Sequence, residues 1–284
     1  MIRHKQHSKL DPKYVDKKLN EFFKEDNSEA DITTIATQNH QLVQAYFIAK
    51  EDLVFVGRDV VVQAFKECNI HQIQEDGAAI KKGEPLAILS GPINIILQKE
   101  RVVLNLIQRL SGIASNTRSL VKIVAPHSIQ LLDTRKKTPG LRAFEKFAVF
   151  IGGGTNHRFS LKEAAMIKDN HLVGNPNIKD AVEKVINDNP KKDIQVEVDN
   201  AIQLQAALYS KATSIMLDNF SPKEIPAAIK TIQKSERGQK IYIELSGGIT
   251  KDNIKDYCIK GVHGISIGAL THNIKSKDIS LDLK

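Results

Sequence analysis

The chain has 284 residues, 41% of them hydrophobic and 26% charged, with 41 Lys and Arg against 33 Asp and Glu and a formal charge of +8. Such a length can bury a core and suits one large α/β domain with a smaller companion, while the composition excludes a disordered chain. The positive balance favours anionic ligands without naming one.

Other classes fall away on local grounds. Basic residues are spread along the chain, without helix-turn-helix, zinc-finger or RNP patterns, so no nucleic-acid partner is expected. Cys68 and Cys258 lie far apart and lack neighbours at metal spacing, which argues against a disulfide framework or a structural zinc. The N-terminus lacks the apolar core of a signal peptide, and no run of about 18 apolar residues occurs. A soluble, cytoplasmic protein with no membrane partner is the expectation.

In chain order, LDPKYVDKKLNEFFKED predicts an amphipathic helix: Asp11 is placed to cap it, Pro12 suits its first position, and Val15, Leu19, Phe22 and Phe23 fall on one face. LVQAYFIAK and EDLVFVG read as strands, RDVVVQAFKECN as a helix, and AAIKKGEPLAILSG as a strand pair bent at Gly83 and Pro85. The first hundred residues therefore read as a small α+β domain. From Pro92 a long helical pattern runs to Pro126 and bridges to a second domain.

After His127 short apolar strands alternate with amphipathic helices. The strands are SIQLLDT, AAMIKD, IQVEVD, SIMLDN, IYIELSGG and GISIGAL; the helices include NIKDAVEKVINDN, AIQLQAALYS, SPKEIPAAIKTIQKS and KDNIKDYCIKG. Nearly continuous apolar strands, each followed by a helix, imply a parallel sheet covered by helices. Six of them point to a barrel related to the TIM type, with a doubly wound open sheet as the alternative.

Each of these strands ends in a polar residue or glycine: Asp133, Lys168 with Asp169, Glu197 with Asp199, Asp218, Ser246 with Gly247 and Gly248, and Gly268. In a parallel barrel such ends share one mouth, where active sites lie. Singly, Asp199 or Asn219 reads as a helix cap. Glu197 does not, because it sits inside a run of valines and burying it needs a partner. SGGI at 246–249 and GGG at 152–154 suit backbone N–H groups approaching an oxyanion, SGGI with a helix N-terminus behind it. Arg135, Lys136, Arg142, Arg158 and Lys168 follow strand ends or the first loop and suit several carboxylates or phosphates; Arg142 and Lys137 read equally well as surface charges. His157, beside Arg158 in a glycine-rich loop, is a candidate anion contact, and His171 and His272 read as supports.

TRKKTPGLR, GGGTNHR, MIKDNH, VEVDN, LDNF, SGGI and GALTH, in this order and spacing, resemble the quinolinate phosphoribosyltransferases, also called carboxylating nicotinate-nucleotide pyrophosphorylases. The likeness extends through ERVVLNLIQRLSGIAS to the C-terminal DISLDL. It implies the reaction of quinolinate with phosphoribosyl pyrophosphate to nicotinate mononucleotide, pyrophosphate and carbon dioxide in NAD biosynthesis, with Mg2+. The implied fold is an N-terminal α/β sandwich, residues 1–110 joined by 271–284, with an incomplete TIM-like α/β barrel over 111–270. The implied assembly is a homodimer, or a higher assembly of dimers, with shared sites.

Carried over by motif, Arg135, His157, Arg158 and Lys168, with Arg101 from the neighbouring copy, would hold the two quinolinate carboxylates. Glu197 and Asp218 would face the ribose hydroxyls and Mg2+, directly or through water, and Ser246, Gly247, Gly248 and Gly268 would cradle the 5′-phosphate. Lys136 would assist with phosphates, and Lys136, Lys168, Glu197 and Asp218 are the expected catalytic residues. Two departures stand out: EDNSEADITT lacks the glycines common before DITT, and Phe150 replaces a polar or basic residue, which bears on the loop shape there.

Three other functions compete. A sister enzyme would accept a different anion, such as nicotinate; Arg135, Arg158 and Lys168 together favour a dicarboxylate. DGAAIKKGEPLAILSG is similar to the hairpin of lipoyl and biotinyl carriers, but has no DK or MK pair at its tip. In a non-catalytic phosphate-binding regulator, Glu197 and Asp218 would serve as caps.

Overall fold

The computed structural model describes residues 4–284. Helix α1 (Pro12–Glu25) starts where Asp11 accepts the Lys13 amide, and it buries Val15 and Leu19. Asn27 follows with φ 48°, a left-handed conformation that asparagine tolerates, so the turn forms without the glycines. Asp31 then caps α2 (Ile32–Thr37) by accepting the Thr33 and Thr34 amides. Next come β1 (Leu42–Ala49), β2 (Leu53–Val54), α3 (Arg58–Ala64), β3 (Asn69–Ile73), β4 (Ala79–Ile80) and β5 (Pro85–Pro92), and then the 32-residue α4 (Ile93–Val124).

Beyond α4 lie β6 (Gln130–Leu132), α5 (Arg142–Ile151), β7 (Ala165–Ile167), α6 (Asp169–Leu172), α7 (Ile178–Asp188) and β8 (Ile194–Val198). They are followed by α8 (Ala201–Leu208), β9 (Ser214–Asp218), α9 (Ile225–Lys234), β10 (Tyr242–Ser246), β11 (Gly264–Ser266), α10 (Ala269–His272) and β12 (Ile279–Leu283). The chain divides into two compact units, one of residues 7–118, 138–153 and 273–284, the other of residues 119–137 and 154–272 with the described N-terminal residues 4–6.

The first unit is built on an antiparallel sheet in the order β12-β1-β5-β3, with β2 and β4 paired separately. Phe47, Phe55 and Phe65 are fully buried in it, each contributing on the order of 2 kcal/mol by leaving water. Three local expectations change. AAIKKGEPLAILSG does not form a strand pair: β4 joins β2 because Asp52 accepts the Lys82 amide and pairs with Lys81, while β5 joins β1 and β3. The carrier-type hairpin is therefore absent. The helix over RDVVVQAFKECN stops at Ala64, and the unexpected β3 begins five residues later.

In the second unit six strands run parallel in the order β6-β11-β10-β9-β8-β7. This is the incomplete barrel; among the described residues no ladder joins β6 to β7. Val196, Val198, Ile215, Leu217, Ile243, Leu245 and Ile265 are buried, which explains why these strands read as continuous apolar runs. Thr155 forms an isolated parallel bridge to Leu132 and returns the chain to the strand ends. KDNIKDYCIKG forms only a 3-10 turn at Ile254–Tyr257, so no α-helix N-terminus stands behind SGGI.

Candidate active site

The C-terminal ends of the parallel strands surround a cavity of about 690 Å³ within the barrel unit. Arg135 and Lys136 enter it after β6, His157 and Arg158 after the Thr155 bridge, and Lys168 after β7. Glu197 of β8, Asp218 at the end of β9, Ser246, Gly247 and Gly248 after β10, and Gly268 after β11 complete the expected set. Arg101 is not among the lining residues. It stands on α4 with its side chain 63% exposed, 3.8 Å from Glu100.

Asp133, fully buried at the end of β6, organises the cationic wall. Its Oδ1 accepts the His157 amide at 2.8 Å, and its Oδ2 accepts from Asn156 Nδ2 and Lys137 Nζ, each at 3.1 Å. Lys137 is thus a buried partner of Asp133 rather than a surface charge. From the other side, Gln6 exchanges two hydrogen bonds with the Asn156 backbone. The residues after β6 and those after the Thr155 bridge are held together by one carboxylate, leaving the Arg135 and Lys136 side chains exposed in the cavity.

Arg158 is buried, and its Nη1 donates to the Ala164 carbonyl at 2.9 Å. Burial, reinforced by neighbouring Arg135, pushes its guanidinium below the ordinary value, and Glu197 opposes the shift. Arg135 thus adds like charge near Arg158, which a bound anion would offset. Lys168 Nζ contacts Glu197 Oε2 across adjacent strands β7 and β8. Four cationic side chains face two carboxylates in the lining, Arg135, Lys136, Arg158 and Lys168 against Glu197 and Asp218.

Neither carboxylate is a cap. Asn200, not Asp199, caps α8 by accepting the Gln203 amide, and Asp218 instead accepts from Asn219 Nδ2 at 2.8 Å. Gly247 has φ +89°, and a Cβ there would lie 2.2 Å from Asn219 Oδ1. A Cβ on Gly268 would come within 2.8 Å of Lys136 Cδ and 3.2 Å of the His272 ring. At Gly247 only glycine admits the neighbouring residue, whereas at Gly268 an added Cβ would displace the Lys136 side chain. His272 therefore lines the cavity itself. His171 accepts the Lys168 amide at 3.0 Å and is a support, as expected.

Several sequence readings move. Arg142 begins α5 in the sandwich unit rather than standing in a loop, and Phe150 lies half-buried in the last turns of that helix. Gly152 packs the end of α5 on α4, where a Cβ would meet the Ala114 carbonyl at 2.7 Å; the glycine run serves helix packing there. His157 offers no free ring nitrogen: Nδ1 accepts the Arg158 amide at 2.7 Å, Nε2 meets Gln195 Oε1 at 3.1 Å, and His4 stacks on the ring at 4.4 Å. Gln195 and Glu244, both buried inside the barrel, went unnoticed in the sequence. The available signal was a polar residue in each of two aliphatic strands, IQVEV and YIELS.

Fold and cavity together define a parallel α/β barrel that receives multiply charged anions at the C-terminal ends of its strands. Models of the quinolinate phosphoribosyl transferase N-terminal and C-terminal domains match residues 31–111 and 113–282. The chain belongs to the quinolinate phosphoribosyltransferase family. It is 41% identical over 279 residues to a probable nicotinate-nucleotide pyrophosphorylase [carboxylating] of Bacillus subtilis, covering 94% of this chain and 92% of the relative. It is 36% identical to the nicotinate-nucleotide pyrophosphorylase [carboxylating] of Mycobacterium leprae, covering 89% and 91%. The solved nicotinate-nucleotide pyrophosphorylase of Francisella tularensis superposes with a TM-score of 0.90 at 35% identity, covering 99% of this chain and 100% of that one.

Proposed function

We propose that this chain is a phosphoribosyltransferase that joins quinolinate to phosphoribosyl pyrophosphate with loss of carbon dioxide, yielding nicotinate mononucleotide and pyrophosphate for NAD biosynthesis. The observation that carries the reading is the convergence of Arg135, Lys136, Arg158 and Lys168 with Glu197 and Asp218 in one cavity of a chain of this family.

In this reading Arg135, Arg158 and Lys168 take the two pyridine carboxylates, joined by the exposed Arg101 of a second copy. His157 takes part by supporting Arg158 rather than by meeting substrate, because both its nitrogens are engaged within the protein. Ser246, Gly247, Gly248 and Gly268 receive the 5′-phosphate, Lys136 lies beside Gly268 to assist, and Glu197 and Asp218 face the ribose hydroxyls. As pyrophosphate leaves, positive charge grows on the ribose, and these two carboxylates stabilise it. The pyridine nitrogen attacks C1; the cationic ring then accepts the electron pair released as the adjacent carboxylate departs as carbon dioxide. No protein nucleophile is required, so positioning and electrostatics supply the acceleration.

The donor set fits Mg2+. Glu197 and Asp218 are two carboxylates in an open cavity, and no cluster of three or more metal-ligating His, Cys, Asp or Glu occurs among the described residues. Mg2+ is commonly held by one or two carboxylates together with substrate phosphates and water. When bound, it neutralises charge on the departing pyrophosphate.

Assembly of two copies, or of more such pairs, is supported by Ile32, Ile35 and Leu42, which expose 82%, 64% and 79% of their surface on the sandwich unit. A soluble, cytoplasmic enzyme is in keeping with the absence, among the described residues, of any helix long and apolar enough to cross a membrane. The test is an assay that follows carbon dioxide and pyrophosphate from quinolinate, phosphoribosyl pyrophosphate and Mg2+, with nicotinate as the comparison acceptor. Stoichiometric release of both products with quinolinate is expected; turnover of nicotinate alone would overturn the reading.

A further inference from the structure

Beneath the cavity lies a directed chain of hydrogen bonds inside the barrel. A backbone N–H can only donate, so the Arg158 amide at 2.7 Å requires an unprotonated Nδ1 on His157. The ring proton then sits on Nε2 and is donated to Gln195 Oε1 at 3.1 Å. Gln195 must turn its amide nitrogen the other way, toward Glu244 Oε2 at 2.7 Å and Ser214 Oγ at 3.1 Å. Ser214 in turn donates to the Tyr242 carbonyl at 3.1 Å.

Two members of this chain set its direction, the Arg158 N–H at one end and Glu244 at the other. An amide side chain fills the same space in either of its two orientations, and an imidazole in either tautomer. An ionised carboxylate accepts and never donates. The Glu244 side chain is 2% exposed, with Oε2 also 3.6 Å from His157 Nε2, and among the described residues its Oε1 has no hydrogen-bond partner. Burial works to raise its pKa, but the hydrogen bonds of His157, Gln195 and Ser266 outweigh burial, and the carboxyl stays below its ordinary value. A barrel interior is filled with less desolvation cost by an aliphatic side chain, so an under-satisfied carboxylate here requires another explanation.

We propose that Glu244 is a positioning residue for the transfer reaction: through Gln195 it fixes His157 as the neutral Nε2–H tautomer, and through His157 it fixes the backbone that aims Arg158 at a substrate carboxylate. This rests on the reading of the cavity given above. In Glu244→Gln the new amide can donate as well as accept, so Gln195 is free to flip and present its nitrogen to His157. The ring proton then moves to Nδ1, where it faces the Arg158 N–H donor to donor, and the Arg158 segment loses one of its anchors.

The experiment has an arm independent of catalysis. Nitrogen NMR of the intact wild-type protein, with the His157 resonance assigned by its loss in His157→Gln, is expected to show the neutral Nε2–H form at neutral pH. A doubly protonated ring or the Nδ1–H form would overturn the proposal whatever the activity. In Glu244→Gln the Nδ1–H form is expected to appear, with KM for quinolinate rising about tenfold, the loss of one aligned hydrogen bond, and kcat changing by less than about threefold. Exchanging the pair, Gln195→Glu with Glu244→Gln, again places an acceptor before His157 Nε2 and a donor behind it, and should restore both tautomer and KM. A Glu244→Gln protein with unaltered tautomer and KM, or an exchanged pair no better than the single variant, sinks the idea. Should the wild type release no carbon dioxide from quinolinate, the functional reading fails while the tautomer measurement still decides the relay.

Discussion

Lys168 and Glu197 meet across neighbouring strands, so the cavity of the free protein already holds its acid and base in contact. On the proposed reading, a dicarboxylate arriving at Lys168 would compete for the ammonium and leave Glu197 to the ribose, coupling occupation of one half of the site to the charge available in the other. Glu197→Gln and Asp218→Asn should each lower kcat about a hundredfold or more, as removal of a transition-state stabiliser does, with thermal midpoints close to wild type because neither group is fully buried. Steady-state kinetics and a melting curve on the same samples check both halves of that expectation. Asp133→Asn belongs to the other kind of residue. It deprives the buried Lys137 side chain of the Asp133 charge and should destabilise the fold by on the order of 3 kcal/mol, read from denaturant unfolding. The lining was legible because charged residues at strand ends stand out against aliphatic runs. Gln195 and Glu244 were not, because whether a polar residue within a strand points inward depends on the closure of the sheet, which one strand cannot reveal.

At the scale of elements, the six barrel strands were readable because burial on both faces leaves no alternation to misread. β3 was missed for the opposite reason: NIHQI lies at the edge of its sheet, largely exposed, and carries polar residues throughout. α5 was missed because TPG before it and GGG after it read as one long loop, although Phe144, Phe147 and Ala148 are buried along the helix. The caps tell the same story in miniature. Asp199 and Asn200 are adjacent candidates, and only Asn200 is positioned to accept the Gln203 amide, at 2.9 Å. Asn200→Ala should therefore cost about 1 kcal/mol of stability and Asp199→Ala much less, a difference measurable by chemical denaturation.

For the molecule as a whole, the formal charge of +8 falls in part on one cavity and in part on residues such as Arg101 that a second copy would complete. Arg101→Ala and Arg158→Ala should each reduce kcat/KM by about a hundredfold. Mixed under conditions where subunits exchange, the two should regain activity, since one composite site then carries both arginines. Failure to regain activity despite demonstrated exchange would remove Arg101 from the site.

The sandwich sheet places β12, residues 279–283, beside β1, residues 42–49, in register from Ala45 opposite Leu283 to Ala49 opposite Ile279. A ribosome delivers these two strands more than two hundred residues apart, and the exit tunnel still hides the second when the first has long been in the open. Until β12 emerges, the early β1 edge carries unsatisfied backbone groups that any extended peptide could occupy. The order of synthesis thus leaves that edge open for most of translation, and loss of residues 279–283 would leave it permanently bare.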